Sequence, residues 1–167
     1  GTAVSQAGVE VRLKDADLVR VGKGLKASVG ILDGRLKRRR ITRQEYERLS
    51  ALLSGTADFS GFPRAALVIE AVFEELSLKR EVLGSLEQVV SAECLLVTNT
   101  SSLSVTALSA LSGRPTKFVG MHFFNPVPAM KLVEIVRGLE TSDATAQAVT
   151  DLAERLATAG RARAERF

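Results

Sequence analysis

The chain has one cysteine and one histidine, and none of its apolar runs approaches the roughly eighteen residues of a membrane span. With a single thiol, Cys94, no intrachain disulfide can form, which excludes a disulfide-stapled scaffold. Cys94 lies in the apolar run Cys94 to Val97 and reads as a buried core thiol. The opening GTAVSQAGVE lacks the charged-then-apolar pattern of a secretory leader. A soluble protein of a reducing compartment is therefore expected. No internal repeat, low-complexity tract or linker is visible, and 167 residues with 46% apolar and 25% charged content suit one domain with a sizeable core.

The net charge of +4 is small but unevenly spread, with Arg35, Lys37, Arg38, Arg39 and Arg40 within six positions. Such a run reads as a solvated helix face or as a site for an anionic group such as a nucleotide phosphate. No aromatic residues interleave it, so no nucleic-acid partner is expected.

Val9, Val11 and Leu13 alternate with charged residues, a period of two that predicts a short strand ending near Lys14 and Asp15. Leu18, Val21, Leu25, Val29 and Leu32 then recur at helical spacing, although Gly22, Gly24, Gly30 and Gly34 weaken that helix. Thr42 and Glu45 have the form of a capping box opening a second helix, which Gly55 would stop. The runs Ala66 to Glu70, Cys94 to Thr98, Phe118 to Met121 and Leu132 to Val136 predict further strands. Ser77 to Val90, Ser104 to Leu111 and Asp143 to Ala159 predict helices, the last capped by Gly160. Strands alternating with helices imply an α/β fold with a mainly parallel sheet, because parallel neighbours need crossovers of helical length.

Ligands of open parallel sheets gather beyond the carboxyl ends of the strands, and the polar residues there form a consistent set. Asp15 follows the first strand, where dinucleotide-binding folds place a ribose-binding acid; a helix N-cap shared with Asp17 is the alternative. Glu70 and Glu74 follow the second strand, Asn99 to Ser102 the third, and His122 the fourth. Glu134 interrupts the run Leu132 to Val136, where a carboxylate needs either a partner or water. If the last two strands are neighbours, Glu134 reaches His122, fixing its tautomer and raising its basicity as a general base; otherwise it faces solvent from an edge strand.

Three segments carry a resemblance: HFFNPVPAMKLVEIV from His122 to Val136, NTSSLSV from Asn99 and VIEAVFEELSLK from Val68. Together, and in this order, they resemble the L-3-hydroxyacyl-CoA dehydrogenase family, and the stretch from Leu13 to Phe62 is closer to its multifunctional β-oxidation members. The resemblance implies a Rossmann-like domain, NAD as cofactor, and oxidation of an L-3-hydroxyacyl-CoA to the 3-oxoacyl-CoA. It implies His122 as the base, Glu134 as its orienting acid, and Ser101 as the group that hydrogen-bonds the reacting oxygen beside the nicotinamide. Asp15, Val72, Glu74, Lys79, Ser101 and Asn125 match cofactor-contacting positions. Ser28 and Arg35 fall near positions that touch the CoA moiety, which gives the basic cluster a job, since guanidinium groups bind phosphate well. The parent is expected to be a homo-oligomer or part of a β-oxidation complex.

The family's first strand and its glycine-rich turn, whose amides and helix N-terminus receive the pyrophosphate, are absent from this sequence. Residues 1–160 are accordingly expected to be a partial NAD-binding domain truncated at both ends, and 161–167 a charged tail outside the family pattern. Such a chain is expected to bind NAD poorly and to turn over nothing alone. Two further readings stay open: a non-catalytic Rossmann-type binding or assembly module, and another Rossmann-type hydroxy acid dehydrogenase.

Overall fold

A computed structural model describes residues 2–124 and 132–161, with side chains as far as 156. Where the sequence shows no linker, the chain forms two compact units: residues 1–60 with 154–167, and residues 61–153. Instead of the single sheet expected, the described residues form one two-stranded and one four-stranded sheet.

In the first unit a short helix, α1 (Thr2–Gln6), leads to Gly8, which turns the chain with a left-handed φ of 78°. Strand β1 (Val11–Lys14) follows, and then helix α2 (Leu18–Lys37). Asp17 caps α2 by accepting from the Arg20 amide at 2.8 Å. The four glycines do not break α2, because Val21, Ser28 and Leu32 bury one face of it; packing outweighs the propensity loss. Thr42 and Glu45 form the capping box of α3 (Arg43–Ala51), as their spacing requires. Leu32, Ile41 and Leu49 make the centre of this unit's core, with Leu36, Tyr46, Leu52 and Leu53 against it.

Gly55 corrects the sequence reading. It does not stop a helix: α3 ends at Ala51, and Gly55 sits inside a strand, β2 (Leu53–Thr56), that pairs in parallel with β1 from Val11↔Leu53 to Lys14↔Thr56. A β-carbon at Gly55 would lie 2.3 Å from Val21 Cγ1 and 3.1 Å from Leu25 Cδ1. Glycine is there so that α2 can press on the strand.

The second unit contains β3 (Leu67–Glu70), α4 (Leu76–Glu87), β4 (Leu95–Thr98), α5 (Val105–Ser109), β5 (Phe118–Phe123) and β6 (Val133–Arg137). Strand order is β3-β4-β5-β6, parallel as far as β5 and antiparallel between β5 and β6. The near-continuous apolar runs follow from burial on both faces: Leu96, Val97, Phe118, Val119 and Met121 are each at most 1% exposed. Cys94 is likewise buried and free, and burial pushes its thiol pKa up. Strand β5 is longer than its apolar run suggested, so His122 lies within the strand rather than after it. Helix α6 (Asp143–Arg161) includes Gly160 instead of being capped by it. No helix among the described residues is long and apolar enough to cross a membrane.

The Gly55 contact is testable. Gly55→Ala forces a methyl against the stiff, buried Val21 and is expected to cost about 1–3 kcal/mol. Urea unfolding should show a lower midpoint with an unchanged m-value.

Candidate active site

In the second unit the carboxyl ends of β3, β4 and β5 carry Glu70, Asn99 and His122, and the geometry around them is organised by one buried cation. Lys79, on the first turn of α4, has a side chain with 0% exposure. Its ammonium donates to both oxygens of Glu70, at 2.8 and 3.0 Å, and pairs with Glu74 Oε2 at 3.3 Å. Glu70, its carboxylate 1% exposed, also accepts from the Thr98 hydroxyl at 2.8 Å and the Val72 amide at 2.7 Å. A buried charge is tolerable when paired and hydrogen-bonded on all sides, and this one is.

Glu74 uses its other oxygen differently. Oε1 accepts from the Thr100 hydroxyl, from the Ser101 amide at 2.9 Å, and from the Ser102 amide and hydroxyl at 3.0 and 3.2 Å. Partial burial pushes this carboxyl up, but the hydrogen bonds from Thr100, Ser102 and Ser101, with the Lys79 charge, outweigh it and bring the pKa down to about 2. The turn after β4 is therefore wrapped around one ionised carboxylate, and Ser101 is held at its exposed crest.

His122 and Glu134 face each other in the β5–β6 register, and His122 Nδ1 stands 3.3 Å from Glu134 Oε2. The imidazole side chain is 23% exposed and the carboxylate 51%. Both sequence alternatives for Glu134 thus hold in part: it lies on an edge strand open to water, and it touches the histidine. In neutral imidazole an Nδ1–H donated to Glu134 leaves the Nε2 lone pair available to accept a proton. The Phe124 ring packs against the imidazole, with centroids 4.5 Å apart.

The other predicted positions are placed as follows. Asp15 is exposed at the end of β1 and accepts from the Ala16 amide at 2.7 Å; the α2 cap is Asp17 alone, so Asp15 is not spent on the helix. Val72 is tied into the acid cluster, donating its amide to Glu70 and accepting from Lys79 at 3.4 Å. Lys79, matched to a cofactor-contacting position, has no exposed surface; its ammonium is enclosed by Glu70, Glu74 and the Val72 carbonyl. Ser28, which falls near a CoA-contacting position, is 8% exposed and accepts from the Thr2 hydroxyl of α1 through its carbonyl. Arg35 lies on the last turn of α2, partly exposed. Asn125 lies outside the described residues. Sequence reasoning missed Glu70 and Thr98 as partners of Lys79, since nothing in linear spacing joins two strand ends to a helix. No metal-binding cluster of His, Cys, Asp or Glu occurs among the described residues.

Two stability measurements test this cluster. Lys79→Met strands Glu70 as an unpaired buried charge and is expected to cost about 3–5 kcal/mol, while the double variant Glu70→Leu, Lys79→Met should recover much of that loss in urea unfolding. Glu74 has a folded-state pKa below its ordinary 4.5, so its contribution is full above about pH 4.5 and disappears as pH falls through about 2. The stability gap between the wild type and Glu74→Gln should close over that window.

The family model for the 3-hydroxyacyl-CoA dehydrogenase NAD-binding domain matches residues 1–160. The chain is 39% identical over 151 residues to the fatty acid oxidation complex subunit alpha of Idiomarina loihiensis, covering 90% of this chain and 21% of that protein. Among solved structures, it is similar to (S)-3-hydroxybutyryl-CoA dehydrogenase from Ralstonia eutropha, with 36% identity, a TM-score of 0.88, and 94% of this chain and 57% of that one covered. It is also similar to 3-hydroxybutyryl-CoA dehydrogenase from Escherichia coli K12, with 34% identity, a TM-score of 0.89, and coverage of 93% and 33%. The chain thus spans between about a fifth and rather more than half of the length of these relatives. By its match over 160 residues and by the fold it shares, the chain belongs to the family of 3-hydroxyacyl-CoA dehydrogenase NAD-binding domains.

Proposed function

We propose that this chain supplies the cofactor-binding and proton-transfer part of an NAD-dependent L-3-hydroxyacyl-CoA dehydrogenase, oxidising the C3 hydroxyl to a ketone. The observation that carries the reading is the contact of His122 Nδ1 with Glu134 across neighbouring strands, 3.3 Å apart, at the strand end near the Ser101 turn. In the oxidation direction His122 takes the hydroxyl proton at Nε2, and Glu134 holds the ring and stabilises the imidazolium that results. Ser101 donates a hydrogen bond to the same oxygen, on a turn already locked by Glu74. NAD, when bound, supplies the hydride acceptor.

The residues present fit a dinucleotide in part. Asp15 offers an exposed carboxylate at the end of a parallel strand, the chemistry that holds a ribose diol. Glu74 and Val72 bring the β3 end to the same class of position, while Lys79 acts behind them. The acyl-CoA substrate and membership of a fatty acid oxidation complex are supported by the named relative, and Arg35 in the basic cluster is assigned to CoA phosphate. A bacterial cytoplasm suits the three bacterial relatives and a free, buried thiol.

The test is a chimera in which this chain replaces its matching stretch in the Idiomarina loihiensis subunit, assayed for NADH-dependent reduction of acetoacetyl-CoA. Activity is expected, and His122→Gln should lower kcat by about 10²- to 10⁴-fold. Glu134→Gln should lower kcat with little change in KM. A chimera that folds and binds NADH but is indifferent to His122→Gln would overturn the mechanism.

A further inference from the structure

Asn99 is a residue to which neither the sequence motifs nor the proposed chemistry assigns a role, yet its side chain spans the two halves of the site. The parallel ladder between β4 and β5 runs from Leu96↔Phe118 to Thr98↔Gly120 and stops there. The next amide after β4, that of Asn99, belongs to the ladder on the other side and donates to the Glu70 carbonyl of β3 at 2.8 Å. Strand β5 continues through Met121 and His122 to Phe123, beyond its last register pair with β4. The Asn99 side chain takes over that pairing, its Oδ1 accepting from the Phe123 amide at 3.1 Å.

We infer that Asn99 is a positioning residue, whose side-chain carbonyl extends the β4–β5 ladder past its end and thereby fixes His122 relative to Ser101. His122 is held on the β6 side by its register partner Glu134 and followed directly by the amide that Asn99 grips. Ser101 is two residues beyond Asn99, on the turn closed by Glu74. One residue thus ties the peptide next to the base to the turn that carries the hydroxyl donor. Both groups address one substrate oxygen, so their separation has to be set before substrate arrives. This inference rests on the function proposed above, because the separation matters only if both groups act on one atom.

His122 is the only histidine in the chain, so its imidazole signals in a ¹⁵N-labelled sample are unambiguous. In Asn99→Ala, exchange of the Phe123 amide is expected to accelerate by about tenfold or more. The imidazole ¹⁵N shifts should move towards those of a free tautomer mixture, because the Nδ1–H to Glu134 contact loosens. Asn99→Asp keeps an acceptor at the same reach and should restore both signals. In the chimera, Asn99→Ala should lower kcat by about 10- to 100-fold while KM for NADH stays within about twofold. Wild-type exchange and imidazole shifts in Asn99→Ala would overturn the inference, as would an Asp variant as perturbed as the Ala variant. If Asn99→Ala does not fold, Asn99→Gln, which keeps the amide but displaces it by one methylene, is subject to the same two outcomes. An inactive wild-type chimera with the NMR effects intact would count against the dehydrogenase reading and leave the placement of His122 by Asn99 standing.

Discussion

A lysine with no exposed surface governs the second unit. Lys79 is encased, and a bare ammonium there would be prohibitive, so the position demands acids, and it has two. Glu70 answers from the end of β3 and is itself satisfied by Thr98 on β4; Glu74 answers from the loop between β3 and α4. The constraint passes outward from there. With one oxygen turned to Lys79, Glu74 presents the other to Thr100, Ser101 and Ser102, and the turn after β4 takes its shape from that acceptor. A buried charge is thereby converted into the placement of an exposed serine.

The result is a division of labour between core and rim. Apolar burial of Leu96, Val97, Phe118 and Val119 fixes where β4 and β5 run, but it cannot decide how their ends splay once the ladder stops. Polar side chains make that decision: Glu74 for the turn and Asn99 for the last residues of β5. The cost of leaving an amide or carboxylate unpaired near the core makes such contacts sharply specific, whereas packing tolerates small slides. Chemistry placed at strand ends benefits from that specificity, since reacting groups must be held to within a fraction of an ångström.

Much of this was legible in the sequence, for identifiable reasons. Strands buried on both faces announce themselves as unbroken apolar runs, and the Thr42/Glu45 box marks a helix start because both of its bonds are local. The pairing of His122 with Glu134 could be inferred because a carboxylate in an apolar run requires a partner or water, and here it has both. What stayed hidden was non-local or depended on backbone rather than side chain. Gly55 looked like punctuation because the close approach of Val21 that demands it comes from a helix some thirty residues earlier. The sealing of Lys79 was hidden because only three-dimensional packing brings Glu70 and Glu74 around it. The contact of Ser28 with Thr2 was equally hidden, because it joins residues twenty-six positions apart.

The antiparallel turn of β6 against β5 gives the acid–base contact a parity. Side chains alternate across a strand, so whether Glu134 meets the imidazole depends on an even or odd count in the alignment of the two strands. Displacement by a single position would send the carboxylate through to the opposite face and present His122 with Val133 or Ile135 instead. The contact is therefore guarded by residues that perform no chemistry: Met121 opposite Ile135, Gly120 opposite Val136 and Val119 opposite Arg137 act as the teeth that keep the two strands in step.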